Sequence, residues 1–328
     1  MPALPPPTTD PPWRTAWDRA LYGPEGFYRR YSPRDHFRTA VHGSDVLAEA
    51  LLRLARDHGL DTVVDMGAGS GELLDDLHRL DPELTLVGVE VAARPPGLPA
   101  AVGWTPELPA AVDGLVVAHE WLDNVPCHVV EVDGSGVPRL VHVDPLTGRE
   151  SLGHAVDAAG VPPSLASWLE QWWPLGTAQP GARAEIGSTR DRAWADLVGR
   201  VVWGLAVAVD YGHTRETRPV AGSLRSYQAG REVPVVPDGS RDVTADVAVD
   251  AVAAAAGSVT LTQRAALRTL GVEATRPPRQ QAAEDPAGYL RSLSRAADAA
   301  DVTDEGGFGS FTWVVSAVGG VRLPFAPS

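Results

Sequence analysis

Residues 63–72 constrain the fold of this chain more than any other part of its sequence. The segment begins with two valines and Asp65, and glycines follow at positions 67, 69 and 71. A short apolar run is typical of a buried strand, and the residues after the last glycine have the apolar spacing of a helix. Glycine adopts positive φ and has no side chain to keep a ligand away from the backbone. The segment therefore predicts a strand, a tight turn and a helix of an α/β fold.

The spacing of these glycines separates two classes of nucleotide cofactor. Dinucleotide-binding proteins carry G-x-G-x-x-G, with the third glycine five places after the first. That place is occupied by Glu72, so the dinucleotide pattern is absent. The pattern present, from Asp65 to Gly71, is D-x-G-x-G-x-G, which resembles motif I of the S-adenosylmethionine (SAM) methyltransferases. SAM carries an ammonium group, and an acidic side chain beside the turn suits that group.

A second acidic residue supports the same cofactor. Glu90 ends the apolar run that begins at Leu84. An acid about 20 residues beyond the turn hydrogen-bonds the ribose hydroxyls in nucleotide-binding α/β folds. The alternative is a glycine-rich turn and a surface glutamate that bind no cofactor. The two strands and the two acids together favour a SAM site. The predicted cofactor-binding residues are Asp65, Gly67, Ala68, Gly69, Gly71 and Glu90, together with Arg38 and Thr39 near the methionine end of SAM.

Composition argues against several other functions. The net charge is −14, and all 28 basic residues are arginine. A P-loop and a Schiff base both need lysine, and a nucleic-acid partner needs a basic surface. Cys127 is the single cysteine, so an intramolecular disulfide and a cysteine metal cluster are excluded. The histidines have no metal-ligand spacing, so no metal is expected.

The sequence also carries no secretory signal and no apolar run long enough to cross a membrane. We therefore expect a cytoplasmic enzyme. Residues 1–14 are proline-rich and expected to be disordered, and residues 15–328 are expected to form one domain. Insertions at about 133–200 and 219–258 are expected to form a lid or a subdomain on the acceptor side.

Alternating strand and helix patterns predict a parallel sheet covered by helices. Strands are predicted at 62–66, 84–89, 114–118, 205–210, 258–261 and 311–317, and helices from Ser44, after Pro162, and at 244–256, 263–270 and about 286–299. Asp133 to Gly136 predicts a hairpin turn between two strands. The helix after Pro162 carries Trp168 and Trp172, which are expected to pack in the core.

Several further stretches occur in the same order as in one known family. They are residues 26–28 with 37–39, the turn at 65–71, and the segments 120–126, 210–212, 223–227 and 242–247. Over residues 21–320 the chain resembles the MidA-like SAM-dependent methyltransferases, a group that includes the mitochondrial complex I assembly factor with arginine methyltransferase activity. The resemblance implies a seven-stranded class I methyltransferase sheet, mostly parallel with an antiparallel last strand, plus family insertions. It also implies methyl transfer from SAM to a protein arginine, with a respiratory-complex subunit as the partner.

The predicted acceptor site follows the strand at 114–118, at the sheet edge where open α/β folds bind ligands. Glu120 and Asp123 are three residues apart and share a face if the segment is a helical turn. Two carboxylates can bind and orient a guanidinium. The alternatives are a solvated loop acid for Glu120 and a helix cap for Asp123.

Two positions depart from the family pattern. His42 replaces a carboxylate, and His119 replaces an asparagine. A neutral His119 could act as general base for a hydroxyl acceptor, because the pKa of histidine lies near neutrality, or it could fill a packing position. Trp104 stands where many methyltransferases contact adenine, with ordinary packing as the alternative.

Three functions are consistent with these residues. The first is a protein arginine methyltransferase, and the second is a small-molecule O- or N-methyltransferase assisted by His119. The third is a SAM-binding assembly or interaction protein without catalysis, which the intact turn and Glu90 disfavour. The sequence specifies neither the acceptor nor the oligomeric state.

Overall fold

The computed structural model describes residues 10–31, 45–323 and 325. The chain divides into two compact units. The first, here called the large-sheet unit, comprises residues 38–121, 197–211 and 257–328. The other, here called the second unit, comprises residues 1–37, 122–196 and 212–256.

Helices and strands are numbered in chain order. The strands are β1 (Thr62–Met66), β2 (Thr85–Val89), β3 (Gly103–Thr105), β4 (Val112–His119), β5 (His128–Val132), β6 (Pro138–Val143), β7 (Glu150–Ala155), β8 (Arg183–Ile186), β9 (Val201–Asp210), β10 (Gly212–His213), β11 (Arg225–Gln228), β12 (Arg231–Glu232), β13 (Asp242–Thr244), β14 (Val247–Ala248), β15 (Val259–Thr262) and β16 (Thr312–Val318). The helices are α1 (Trp13–Tyr22), α2 (Phe27–Arg30), α3 (Val46–Asp57), α4 (Glu72–Leu80), α5 (Pro163–Trp172), α6 (Ser188–Val198), α7 (Val249–Ala256), α8 (Gln263–Thr269), α9 (Arg279–Glu284) and α10 (Pro286–Val302), with short 3-10 turns at Leu122–Asn124 and Phe308–Ser310.

The large-sheet unit contains the predicted seven-stranded sheet. Its strand order is β15-β16-β9-β4-β1-β2-β3. Strands β9, β4, β1, β2 and β3 pair in parallel, whereas β16 is antiparallel to both of its neighbours. The prediction of a class I methyltransferase sheet with an antiparallel last strand is confirmed. The central strands are apolar along their length because helices cover both faces of such a sheet.

The helix that follows β1 is amphipathic and begins directly at the turn. Helix α4 starts after Gly71, which is its N-cap and has φ 79°. Its leucines at 73, 74 and 77 are buried, and its acidic and basic residues lie at the other positions. Burial of this face anchors the start of the helix, and therefore the turn, against the sheet.

The second unit is built on an antiparallel sheet in the order β7-β6-β5-β8. The predicted hairpin is present: β5 and β6 pair in antiparallel fashion, and the Asp133 side chain accepts bonds from the Ser135 and Val137 amides. Trp168 and Trp173 are buried in one core cluster of this unit, and Trp172 packs against that cluster. The expectation that these tryptophans serve the core is confirmed.

Two differences from the predicted organisation have a clear physical cause. Residues 10–14 are not part of a disordered tail, because the Pro11 carbonyl accepts a bond from Val143 and Trp13 is 1% exposed. The predicted helix 244–256 begins only at Val249, because β13 and β14 occupy residues up to 248 and pair with β11 and β10. Residues 1–9 and Ser44 lie outside the described residues.

No helix among residues 10–31 and 45–323 is long and apolar enough to cross a membrane. Within the same ranges, no cluster of three or more histidine, cysteine or acidic side chains is arranged to hold a metal ion. Cys127 is buried with its thiol near the hydroxyl of Thr189.

Candidate active site

The glycine-rich turn connects β1 to α4 and takes the left-handed conformation three times. Gly67, Gly69 and Gly71 have φ values of 76°, 55° and 79°. L-amino acids with side chains rarely adopt this region, so glycine relieves backbone strain at each position. The amides of Gly67 and Ala68 both donate to the Val89 carbonyl, at 2.9 and 3.2 Å. These bonds hold the turn against the end of β2.

Glu90 lies directly after β2 and is bonded to the turn. Its Oε2 accepts from the Gly69 amide at 3.0 Å, and its Oε1 accepts from the Ala92 amide at 3.1 Å. A carboxylate has about four acceptor sites, so these backbone bonds leave capacity for a hydroxyl donor. Burial raises the pKa of Glu90, and the amides of Ala92 and Gly69 partly offset this. The predicted ribose acid is therefore held in place by the backbone of the cofactor turn.

Asp65 is buried at the end of β1, with 4% of its surface exposed. Burial, and to a smaller extent the negative charges of Glu90 and Glu72, raise its pKa to about 7. Nearby negative charges disfavour the ionised form of a buried acid unless a cation joins them. The ammonium group of SAM is such a cation.

Acidic residues end four neighbouring parallel strands of the sheet. Asp210 ends β9, Glu120 follows β4, Asp65 is the penultimate residue of β1, and Glu90 follows β2. Parallel strands present their carboxyl ends at one edge, so these side chains share the edge where ligands bind in such sheets. The edge is suited to ligands that carry positive charge.

Glu120 has an unusual backbone conformation for a residue with a side chain. Its φ is 48°, and its amide donates to the Val209 carbonyl at 2.8 Å. The imidazole Nδ1 of His119 lies 3.6 Å from Glu120 Oε1, and both side chains are largely buried. A non-glycine residue in this region costs on the order of 1–3 kcal/mol and marks a position that the surrounding structure enforces.

Asp123 belongs to the second unit. The helical turn around it begins at Leu122, so Glu120 is not part of it. Thr244 donates to Asp123 Oδ2 at 2.6 Å, and Arg190 and the amide of Ala245 donate to the Asp123 carbonyl. These bonds give Asp123 a structural position within its own unit, and its role toward an acceptor stays a prediction.

Several of the resembling stretches meet inside the second unit. Asp242 Oδ1 accepts from the hydroxyl of Tyr28 at 2.9 Å and from the side-chain amide of Asn124 at 3.2 Å. Burial raises the pKa of Asp242 to about 7, and the charge of Asp123 contributes to the same shift. One residue from each of the segments 26–28, 120–126 and 242–247 therefore takes part in the same buried hydrogen-bond network.

Two other predictions concern aromatic and basic residues. The Trp104 indole donates to the Ala92 carbonyl at 3.1 Å, and its ring lies so close to Gly88 that a Cβ there would be 2.5 Å away. These contacts support the packing interpretation. Arg38, Thr39 and His42 lie outside the described residues.

Trp121 is a residue of this site that the sequence did not single out. A Cβ placed on Gly67 would lie 3.0 Å from Cδ1 of its indole ring. The only sequence signal was its position between Glu120 and the start of the helical turn, which does not predict which way an indole ring points.

Comparison with known proteins decides the family. A family model described as "Putative S-adenosyl-L-methionine-dependent methyltransferase" matches residues 46–266. The chain belongs to this family. It is thus a SAM-dependent methyltransferase, with SAM as its cofactor. No curated protein sequence gives a significant match.

Two solved structures from Burkholderia thailandensis are similar to this methyltransferase over nearly its whole length. One is described as a "likely methyl transferase" bound to S-adenosyl-homocysteine. It is 23% identical, with a TM-score of 0.75, and the match covers 96% of this chain and 89% of that one. The other is a native crystal structure of an uncharacterized protein, 25% identical with a TM-score of 0.75, covering 97% and 90%.

The described residues fit the cofactor. A Cβ on Gly69 would meet nothing within 4 Å, so the backbone of the turn is open to a ligand at that point. Glu90 has acceptor capacity for the ribose, and Asp65 provides a carboxylate for the ammonium group.

The raised pKa of Asp65 predicts that SAM affinity depends on pH. Below about 7 the carboxyl group is protonated in the free protein, and it must lose this proton to bind the ammonium group. Between pH 7.5 and 5.5 we expect the affinity for SAM to fall about tenfold, measured by isothermal titration calorimetry. Asp65→Asn should bind SAM more weakly at pH 7.5 and lose most of this dependence. A wild-type profile as flat as that of the variant would contradict the assignment.

Proposed function

We propose that this methyltransferase transfers the methyl group of SAM to the guanidinium of a protein arginine. The observation that carries the proposal is Glu120, an acid kept in a left-handed conformation at the end of β4. Glycine would adopt this conformation without strain. A side chain at this position therefore costs backbone strain, and the group that it brings to the edge of the sheet is a carboxylate.

A guanidinium suits this edge of the sheet. It is cationic, with a pKa above about 12, and a carboxylate binds it through two parallel hydrogen bonds. The acids at the carboxyl ends of β1, β2, β4 and β9 make the edge electrostatically favourable for a positively charged acceptor. Glu120 would hold the guanidinium with one nitrogen oriented toward the turn that binds SAM.

SAM supplies a methyl carbon bound to a positively charged sulfur, and transfer leaves the electron pair of the broken S–C bond on that sulfur. The guanidinium nitrogen forms the new N–C bond and loses one proton. In this proposal Glu120 would accept this proton, and His119, whose Nδ1 lies 3.6 Å from Glu120 Oε1, would stabilise the carboxylate or relay the proton. Alignment of the acceptor is the main contribution that such a site makes.

A second candidate is a small-molecule O- or N-methyltransferase. The proximity of the His119 imidazole to the Glu120 carboxylate supports it, because a histidine oriented by a carboxylate can act as general base for a hydroxyl. In that case the acid orients His119 and does not bind the acceptor.

Labelling separates the two candidates. The purified enzyme is incubated with a cell lysate and SAM that carries a radioactive methyl group, and protein is separated from small molecules. We expect label in protein, released on acid hydrolysis as methylarginine. Label confined to the small-molecule fraction would overturn the arginine assignment and support the second candidate.

Substitution of Glu120 tests the residue that carries the proposal. In both Glu120→Gln and Glu120→Gly we expect kcat to fall about 10²- to 10³-fold, a range typical of a lost acid–base group, with SAM affinity within about twofold of wild type. Glu120→Gly should melt no earlier than wild type, since glycine adopts φ 48° readily.

The matched control is Glu83→Gln, an exposed glutamate of the same unit, which should keep wild-type kcat. Glu120→Gln with kcat close to that of the control would remove Glu120 from the catalytic site.

A further inference from the structure

Trp121 lies against the first glycine of the cofactor turn. A Cβ added to Gly67 would come within 3.0 Å of the indole Cδ1 and 3.4 Å of the Trp121 Cβ. The same addition at Gly69 would meet nothing within 4 Å. One side of the turn is therefore covered by an aromatic ring, and the other side is open.

The sheet register explains this contact. Asp65 of β1 pairs with Val117 of β4, and the backbone leaves both strands at the same edge of the sheet. Gly67 is two residues beyond the first of these positions, and Trp121 is four residues beyond the second. Trp121 is only half-buried, so part of its ring remains accessible at the ligand-binding edge.

This position lies between the two groups of ligand-binding residues. Gly69 and Glu90, which are predicted cofactor contacts, are bonded to each other on the β2 side of the turn. Glu120, next to Trp121 in the chain, follows β4 on the other side. The part of SAM that faces an acceptor is its sulfonium group, so a ring between these two groups of residues is expected near the sulfonium.

An indole face attracts cations through its quadrupole, and tryptophan does so more strongly than the other aromatic residues. The sulfonium is positively charged before methyl transfer, and the thioether of S-adenosyl-homocysteine is neutral. We propose that Trp121 is a cofactor-binding residue that selects the charged sulfonium of SAM over the neutral product. This inference rests on SAM as the cofactor and is independent of which acceptor the enzyme methylates.

The selection has a consequence for turnover. A group that binds the charged cofactor more tightly than the neutral product weakens product inhibition, because the attraction disappears when the methyl group leaves. The carboxylates at the same edge act in the same direction.

Calorimetry with three ligands tests the role of the ring. They are SAM, S-adenosyl-homocysteine and sinefungin, a SAM analogue in which an amine-bearing carbon replaces the methylated sulfur and carries positive charge. In Trp121→Leu we expect affinity for SAM and sinefungin to fall about tenfold, with affinity for S-adenosyl-homocysteine within about twofold of wild type. Trp121→Phe should retain most of the affinity for the cations.

An equal loss of affinity for all three ligands would mean that the indole only packs, and would overturn the proposal. Unchanged affinity for SAM would overturn it as well. These measurements need no acceptor. The proposal for Trp121 can therefore be overturned while the arginine assignment holds, and the arginine assignment can be overturned while the proposal for Trp121 holds.

The contact with Gly67 has a test of its own. Gly67→Ala and Gly69→Ala both place a side chain in the left-handed region, but only the first adds a contact with Trp121. We expect Gly67→Ala to lower the melting temperature more than Gly69→Ala, and this difference to vanish when both are combined with Trp121→Ala. Equal effects in the wild-type background would contradict the packing from which the proposal starts.

Discussion

The position of β1 between β2 and β4 is the constraint on which the site depends. Asp65 pairs with Gly88 on one side and with Val117 on the other. Because all three strands are parallel, the glycine-rich turn, Glu90 and residues 119–121 emerge at one edge. Backbone bonds from the turn to Val89 and from Gly69 to Glu90 then hold the first two groups together. A shift of one residue in this register would move the side chains of the shifted strand to the opposite face of the sheet.

The same arrangement determines the electrostatics of the site. Apolar strands and covering helices exclude water from the strand ends, so burial raises the pKa of Asp65 and of Glu90. Charged acids in such a place are unfavourable without a counterion. A ligand with positive charge removes this cost, and SAM brings both an ammonium and a sulfonium. We therefore expect the methyltransferase to gain affinity for its cofactor from these buried acids.

Local sequence patterns were sufficient to predict the glycine-rich turn, the strands beside it and one hairpin. The turn at 65–71 was predictable because three left-handed positions require glycine, and β1, β2 and β4 because their apolar runs are short and bounded by turn residues. The hairpin at Asp133 followed from its turn residues. The prediction of the antiparallel last strand came from the family resemblance and not from spacing, and the pairing of β16 with β9 and β15 confirms it.

Contacts between residues far apart in the chain determine the features that the sequence patterns did not predict. Helix α7 begins at Val249 and not at the predicted residue 244, because β13 and β14 pair with strands elsewhere in the chain. Asp123 was expected beside Glu120, but its carboxylate is bonded to Thr244 and its helical turn excludes Glu120. Trp121 was missed since the direction of its ring depends on the β1–β4 register. Arg38 and Thr39 lie outside the described residues.

Direct titration of SAM into wild-type protein and into Gly69→Arg tests the central claim, that the turn at 65–71 binds the cofactor. Space is open around Gly69, so a larger side chain there projects into the region of the ligand and not into the core. The account predicts one SAM bound per wild-type chain and no measurable binding to a folded Gly69→Arg protein. Failure of wild type to bind SAM, or wild-type affinity in the variant, would contradict it.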